Sequence, residues 1–169
     1  MDNLTLPPVT MNLVNAGLAA GTTTTVTVGT APTGIVIGGK FGATTLSASA
    51  NQSIEPTTDA NTGLAFATIP INSAACLLLG INAAGTLVGA LGPVVPTETG
   101  VTTTVGAFIN APQFPAVPDT MCPVAYTLIR VAPSLTAGFI AGSTQWAASG
   151  ASCTTFKNIC TLPSRPQIA

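Results

Sequence analysis

Proline and glycine interrupt this chain so often that every apolar run is broken before it reaches helical length. Proline removes an amide donor and clashes with the preceding helical turn, and glycine loses the most backbone freedom on entering a helix. With 14 Pro and 17 Gly spread along 169 residues, short strands joined by many turns are what the chain can support. The predicted fold class is all-β: a compact β-sandwich or barrel-like domain with extended N- and C-terminal arms, and less than about a tenth of its residues helical. Threonine points the same way. There are 28 Thr against 9 Ser; both offer a hydroxyl, but only Thr is β-branched and suits a pleated strand. The excess reads as an uncharged polar coat on strand faces.

Charge is scarce. Only 5% of residues are charged, while 47% are hydrophobic and the mean hydropathy is +0.58; ordinary soluble domains carry about 25% charged residues. A folded monomer of 16.7 kDa exposes about 7,600 Å², so nine charged side chains leave about one per 850 Å². Much of that surface is expected to be covered by neighbouring subunits or coated by threonine. The net charge is −1, and the four basic residues Lys40, Arg130, Lys157 and Arg165 are scattered along the sequence. No basic patch for phosphate neutralisation is expected, and nucleic-acid binding is excluded on that ground.

Residues 74–91 form a charge-free, 18-residue run that meets the length threshold for a spanning helix. It contains Gly80, Asn82, Gly85, Thr86 and Gly89, and no basic residue flanks it nearer than Lys40 and Arg130. A hairpin accounts for it better: a strand over 75–81, a tight turn at 82–85 with Gly85 left-handed, and a partner strand over 86–91. No membrane association is expected. The N-terminus lacks the basic and apolar regions of a secretory signal. Cys76, Cys122, Cys153 and Cys160 lack the close pairs of a zinc ribbon. A Cys153–Cys160 disulfide is open, with buried thiols in a reducing cytoplasm as the alternative.

Along the chain, residues 1–20 read as an extended arm, 21–161 as the β-domain and 162–169 as a rigid extended tail. Strands are expected at 22–28, 35–37, 64–69 and 101–109, besides the hairpin, and 43–60 reads as a long polar loop. Residues 111–118, with three prolines, must be extended. The strongest strand is 124–131. Val124, Tyr126, Leu128 and Arg130 on one side and Ala125, Thr127, Ile129 and Val131 on the other make both faces apolar, so both require cover, from a sandwich partner or a subunit. Residues 139–146 and 154–161 are expected to supply the last strands.

Little in the sequence can carry chemistry. The lack of His removes the commonest general base. Glu55 and Asp59 are close in sequence but read as solvated loop charges. Gly38-Gly39-Lys40-Phe41-Gly42 lacks the spacing and the hydroxyl residue of a phosphate loop. Cys122 reads as a buried thiol, and Tyr126 and Trp146 as core or interface anchors. No catalytic, cofactor or metal site is expected, and the chain is read as non-enzymatic. Its low charge and two-sided apolar strand predict a homo-oligomer held by apolar contact, with Leu4, Leu6, Val9, Tyr126, Leu128, Trp146, Leu162 and Ile168 at interfaces.

The run Cys122-Pro123-Val124-Ala125-Tyr126-Thr127-Leu128-Ile129, followed by Phe139-Ile140-Ala141-Gly142-Ser143-Thr144, Phe156 and Leu162-Pro163-Ser164-Arg165-Pro166, resembles a pattern in small capsid decoration (cement) and related virion proteins of tailed bacteriophages. Ala125 stands where that pattern has Gly. The resemblance covers the C-terminal third. It implies a homotrimer, made in the host cytoplasm, that sits on the capsid exterior and ties neighbouring major capsid protein subunits together. The rival expectation is a receptor- or carbohydrate-binding fibre or adhesin module that uses exposed Trp146 and Tyr126; a cell-surface lattice protein is third.

Overall fold

The longest apolar stretches become the two longest strands, side by side. In the computed structural model, residues 10–21, 23–29, 35–37, 40–42, 49–52, 57–153 and 155–168 are described, those between 35 and 52 by their backbone. The chain is all-β, with no helix among the described residues and about 38% strand in antiparallel sheets. The strands are β1 (Met11–Asn12), β2 (Leu18–Ala20), β3 (Val26–Val28), β4 (Ile35–Ile37), β5 (Lys40–Gly42) and β6 (Ser49–Gln52). They continue as β7 (Ser73–Asn82), β8 (Leu87–Leu91), β9 (Val95–Pro96), β10 (Met121–Val131), β11 (Ala151–Ser152) and β12 (Phe156–Asn158).

The main sheet runs β11-β10-β7-β8, with β12 also beside β10 and β9 also beside β7. Strand β7 therefore lies in the middle, and Leu77, Leu78 and Leu79 are completely buried. Full burial of such side chains stabilises the fold by about 1.5–3 kcal/mol each. The turn from β7 to β8 is organised by Asn82, whose side-chain oxygen accepts from the amides of Ala84 (3.0 Å) and Thr86 (2.9 Å). Gly85 follows with φ 79°, the left-handed position expected of it. Two three-stranded sheets, β1-β4-β5 and β2-β3-β6, come from the N-terminal third.

The two faces of the main sheet are covered by unlike layers. One face presents Ala75, Leu77, Leu79, Ile81, Ile129 and Val131 to a core shared with Leu18, Val26 and Val28 of the β2–β3 pair. Phe66, Ile69, Phe139 and Trp146 complete that core. Trp146 is its largest member: its ring centroid lies 5.7 Å from Phe139 and 5.4 Å from Phe156, and its Nε1–H donates to the Thr25 carbonyl at 2.7 Å. The other face, with Cys76, Leu78, Val88, Ala90, Tyr126 and half-buried Leu128, lies under Phe114, Val117, Ile159 and Leu162. The Pro-rich 111–118 segment is thus a cover for that face and not a free spacer.

Several expectations need correction. Residues 64–69, 101–109 and 139–146 are not strands; they make only isolated bridges, such as Ile69 with Phe139 and Val101 with Thr104. Their apolar side chains do not line one side: Phe66 and Ile69 are buried, while Leu64, Val101 and Ile109 are exposed. The strand expected at 22–28 is confined to Val26–Val28, and the 43–60 loop contains β6. Thr22 and the Gly38-Gly39 pair lie outside the described residues. The N-terminal arm does not extend to residue 20, since β1 and β2 belong to sheets. The extended tail lies against the chain's own β10. Pro166 is buried, and the Gln167 amide donates to the Tyr126 hydroxyl at 3.0 Å.

In β10 the expected alternation slips by one residue. The register shifts between Pro123 and Ala125, so Val124 bulges out of the ladder and shares a face with Ala125. The cause is covalent: proline has no amide to donate, so in an interior strand it is tolerated at a bulge. Across the ladder stands Gly80, where a Cβ would lie 2.7 Å from the Cys122 carbonyl oxygen, too close for any side chain.

Asp59 also departs from expectation. It is buried, not solvated. Its carboxylate accepts from the amides of Asn61 (2.8 Å) and Leu91 (3.2 Å), while the Ala60 amide donates to Gly89 (2.8 Å). The outer edge of β8 is thereby paired to this loop. Asp59→Ala is expected to destabilise the fold by about 1–3 kcal/mol, because two amides lose their acceptor. Urea denaturation checks this, and a change below measurement error would show the carboxylate to be dispensable.

Candidate partner-binding surface

No acid, base and nucleophile are brought together among the described residues. Glu98 and Asp119 are exposed while Asp59 is buried, and no cluster of His, Cys, Asp or Glu suited to a metal ion occurs among them. Cys76, Cys122 and Cys153 are buried and Cys160 is exposed; all four are thiols, so the Cys153–Cys160 disulfide does not form. Burial pushes the thiols of Cys76 and Cys153 up to about 12, which keeps them neutral and unreactive.

The expected interface residues divide. Tyr126 and Trp146 are each 1% exposed and belong to the chain's own core, so neither ring is available to a partner or to stack on a sugar. Leu128 and Leu162 are half-buried against the second core, and Ile168 is exposed. Leu4, Leu6 and Val9 lie outside the described residues.

Two surface features remain. The first is apolar. Ile71 and Val101 are exposed at the end of the sheet where β7 starts and β10 finishes. They are held together through Asn72, whose carbonyl accepts from the Thr97 amide at 2.9 Å and whose side-chain oxygen accepts from Gly100 at 3.0 Å. Both described non-glycine residues with positive φ are here, Asn72 (53°) and Thr102 (51°). Thr102 sits in the two-residue turn closed by reciprocal bonds between Val101 and Thr104. A β-branched residue is strained in that conformation, which persists only where the surroundings enforce it.

The second is cationic, and sequence order concealed it. Lys157 of β12 is paired with Tyr126 of β10, and Arg130 follows Tyr126 by two periods of the strand, so all three side chains share a face. The C-terminal segment crosses that face and brings Arg165 with it. A cleft of about 200 Å³ is lined by Phe108, Leu128, Arg130, Thr155, Lys157 and Gln167, among others. Gln167 also borders a second cleft of about 460 Å³ with Lys157, and a third of about 320 Å³ with Arg165. Among the described residues, no carboxylate side chain lines any of the three. The guanidinium of Arg130 lies over the Phe108 ring, 5.1 Å from its centroid, and Nη1 donates to the Gly106 carbonyl at 3.3 Å. The scatter of these cations along the sequence hid this arrangement, because residues far apart in the chain come to one face through strand pairing. Set against family models, curated proteins and solved structures, the chain finds no match in any of the three.

Proposed function

We propose that this chain is a virion structural protein, a decoration protein that binds the capsid exterior as a homotrimer and strengthens contacts between major capsid protein subunits. The observation that carries this reading is a core completed within one chain while large apolar side chains stay outside it. Leu64 is 70% exposed, Val101 74% and Ile109 58%, on a protein with almost no charge. Such side chains gain from burial in an assembly. The resemblance of the C-terminal third to phage decoration proteins supplies the kind of assembly, and its first segment, 122–129, lies in β10. The reading involves no catalysis, cofactor or nucleic acid. Bound copies would add buried apolar area across subunit boundaries and stabilise the shell by mass action.

Sedimentation should give a species of three times the 16.7 kDa chain mass, at low and at high salt alike, because apolar contact is not screened by ions and closed symmetry limits growth. A monomer at both salts would overturn the trimer. Antibodies against the folded chain should coat intact capsids of the particles that contain it. Labelling confined to the tail would overturn the decoration role.

A further inference from the structure

We propose that the cationic groove along the C-terminal segment is a binding site for an extended acidic peptide of a partner protein. In it, Arg130, Lys157 and Arg165 receive carboxylates, and the surface formed by Leu128 and Ile168 receives an apolar side chain.

Three observations lead there. The first is charge. In a chain with five acidic and four basic residues, three of the four basic ones border clefts joined through Gln167, and among the described residues no acidic side chain lines those clefts. The local field is therefore positive although the whole molecule is not, and the low-dielectric walls of a cleft strengthen it. The second is preparation. Arg130 is half-buried, and its guanidinium is already held by the Phe108 ring and the Gly106 carbonyl. It loses little freedom on receiving a ligand, and its remaining N–H groups form a fork that suits a carboxylate.

The third observation is the mixture of lining groups. Apolar Leu128 and Ile168 alternate with the hydrogen-bonding Ser152, Thr155 and Gln167 and with the cations. A peptide with apolar and carboxylate side chains offers the complementary pattern. A nucleic acid or sulfated glycan, charged at every unit, would meet only three cations and a protein of net charge −1, which is too few for appreciable counterion release. The inference stands on the groove alone and does not depend on capsid binding.

The test is NMR titration of the ¹⁵N-labelled full chain with the blocked peptide Ac-Leu-Glu-Leu-Asp-Leu-Glu-NH₂. Parallel titrations use its all-amide counterpart, with Gln and Asn for Glu and Asp, and inorganic phosphate. The acidic peptide should shift the Arg130 Nε–H, the Gln167 side-chain amide and the amides of Thr155 and Lys157. Saturation should fall in the range of about 0.1–1 mM and weaken severalfold when salt is raised to about 0.5 M. R130Q/K157Q should weaken binding about tenfold. R165Q, at an exposed position, should weaken it less and leave the rest of the spectrum unchanged, which guards against misfolding of the double variant. Equal binding of the amide peptide, tighter binding of phosphate at the same residues, no saturable shift with the acidic peptide, or an R165Q variant that binds it undiminished would each overturn the proposal.

Discussion

Replacing Trp146 with Ala should lower the free energy of unfolding by about 3–5 kcal/mol, as for other large aromatic truncations in cores. Trp146 is 1% exposed, touches the rings of Phe139 and Phe156, and satisfies the Thr25 carbonyl through its indole N–H. It joins three parts of the chain that no strand ladder links: the segment before β3, the loop before β11, and β12. Its own amide also donates to the Thr23 carbonyl at 3.0 Å. Small domains have only about 5–15 kcal/mol of stability in total, so the variant should unfold at a much lower urea concentration than the parent. Trp146→Phe keeps a ring and loses the indole bond, and should cost less, about 1–3 kcal/mol. Urea unfolding followed by circular dichroism compares the three proteins; equal losses for Ala and Phe would mean that the hydrogen bond and not the packing sets the effect.

Alkaline pH should unfold the protein earlier than its few ionisable groups suggest. The thiols of Cys76 and Cys153 lie at about 12 in the folded chain against an ordinary value of 9.0, and burial is the cause. The raised values fix the sign. Below pH 9 both states keep the protons and the full contribution is present. Between 9 and 12 the unfolded chain releases protons that the folded chain holds, so stability falls as pH rises. The slope approaches about 1.4 kcal/mol per pH unit for each thiol. Melting temperatures measured from pH 8 to 11 under reducing conditions should therefore drop steeply. The Cys76→Ala/Cys153→Ala variant, though less stable at pH 8, should show a distinctly flatter dependence. Parallel profiles for the two proteins would assign the loss to other groups.

What could be read from the sequence was whatever depended on continuous burial or local turn chemistry. The hairpin of β7 and β8 and the strand β10 were legible because 75–81 and 124–131 are apolar on both faces, and Gly85 because a turn needed a left-handed residue. The false strands at 64–69 and 101–109 share a cause: β-branched and aromatic residues between turn signals read as strand, but the pairing partners that make a strand are not written locally. Asp59 looked solvated because its acceptor role is satisfied by Leu91, 32 positions away. The cationic groove was hidden for the same reason. Strand pairing puts Lys157 opposite Tyr126 and so on the face that Arg130 shares, and the tail adds Arg165 by crossing that face. Pro123 could have announced its bulge, since a proline inside an interior strand has few other places to sit.

The central position of β7 has a consequence for synthesis. The ribosome delivers the β7–β8 hairpin well before the strand, loops and tail that cover it, and about 75 further residues must follow before Leu162 and Pro166 are in place. At about 5–20 residues per second, that leaves the leucine triplet Leu77, Leu78 and Leu79 uncovered for roughly 4–15 seconds. During that interval the nascent chain offers a flat, charge-free hairpin with both faces sticky and the β7 edge unpaired, the kind of template on which strands of other chains add. A protein so free of charge in its finished form is thus most exposed to aggregation while still on the ribosome, and its yield should depend on chaperones that hold the hairpin until β10 arrives.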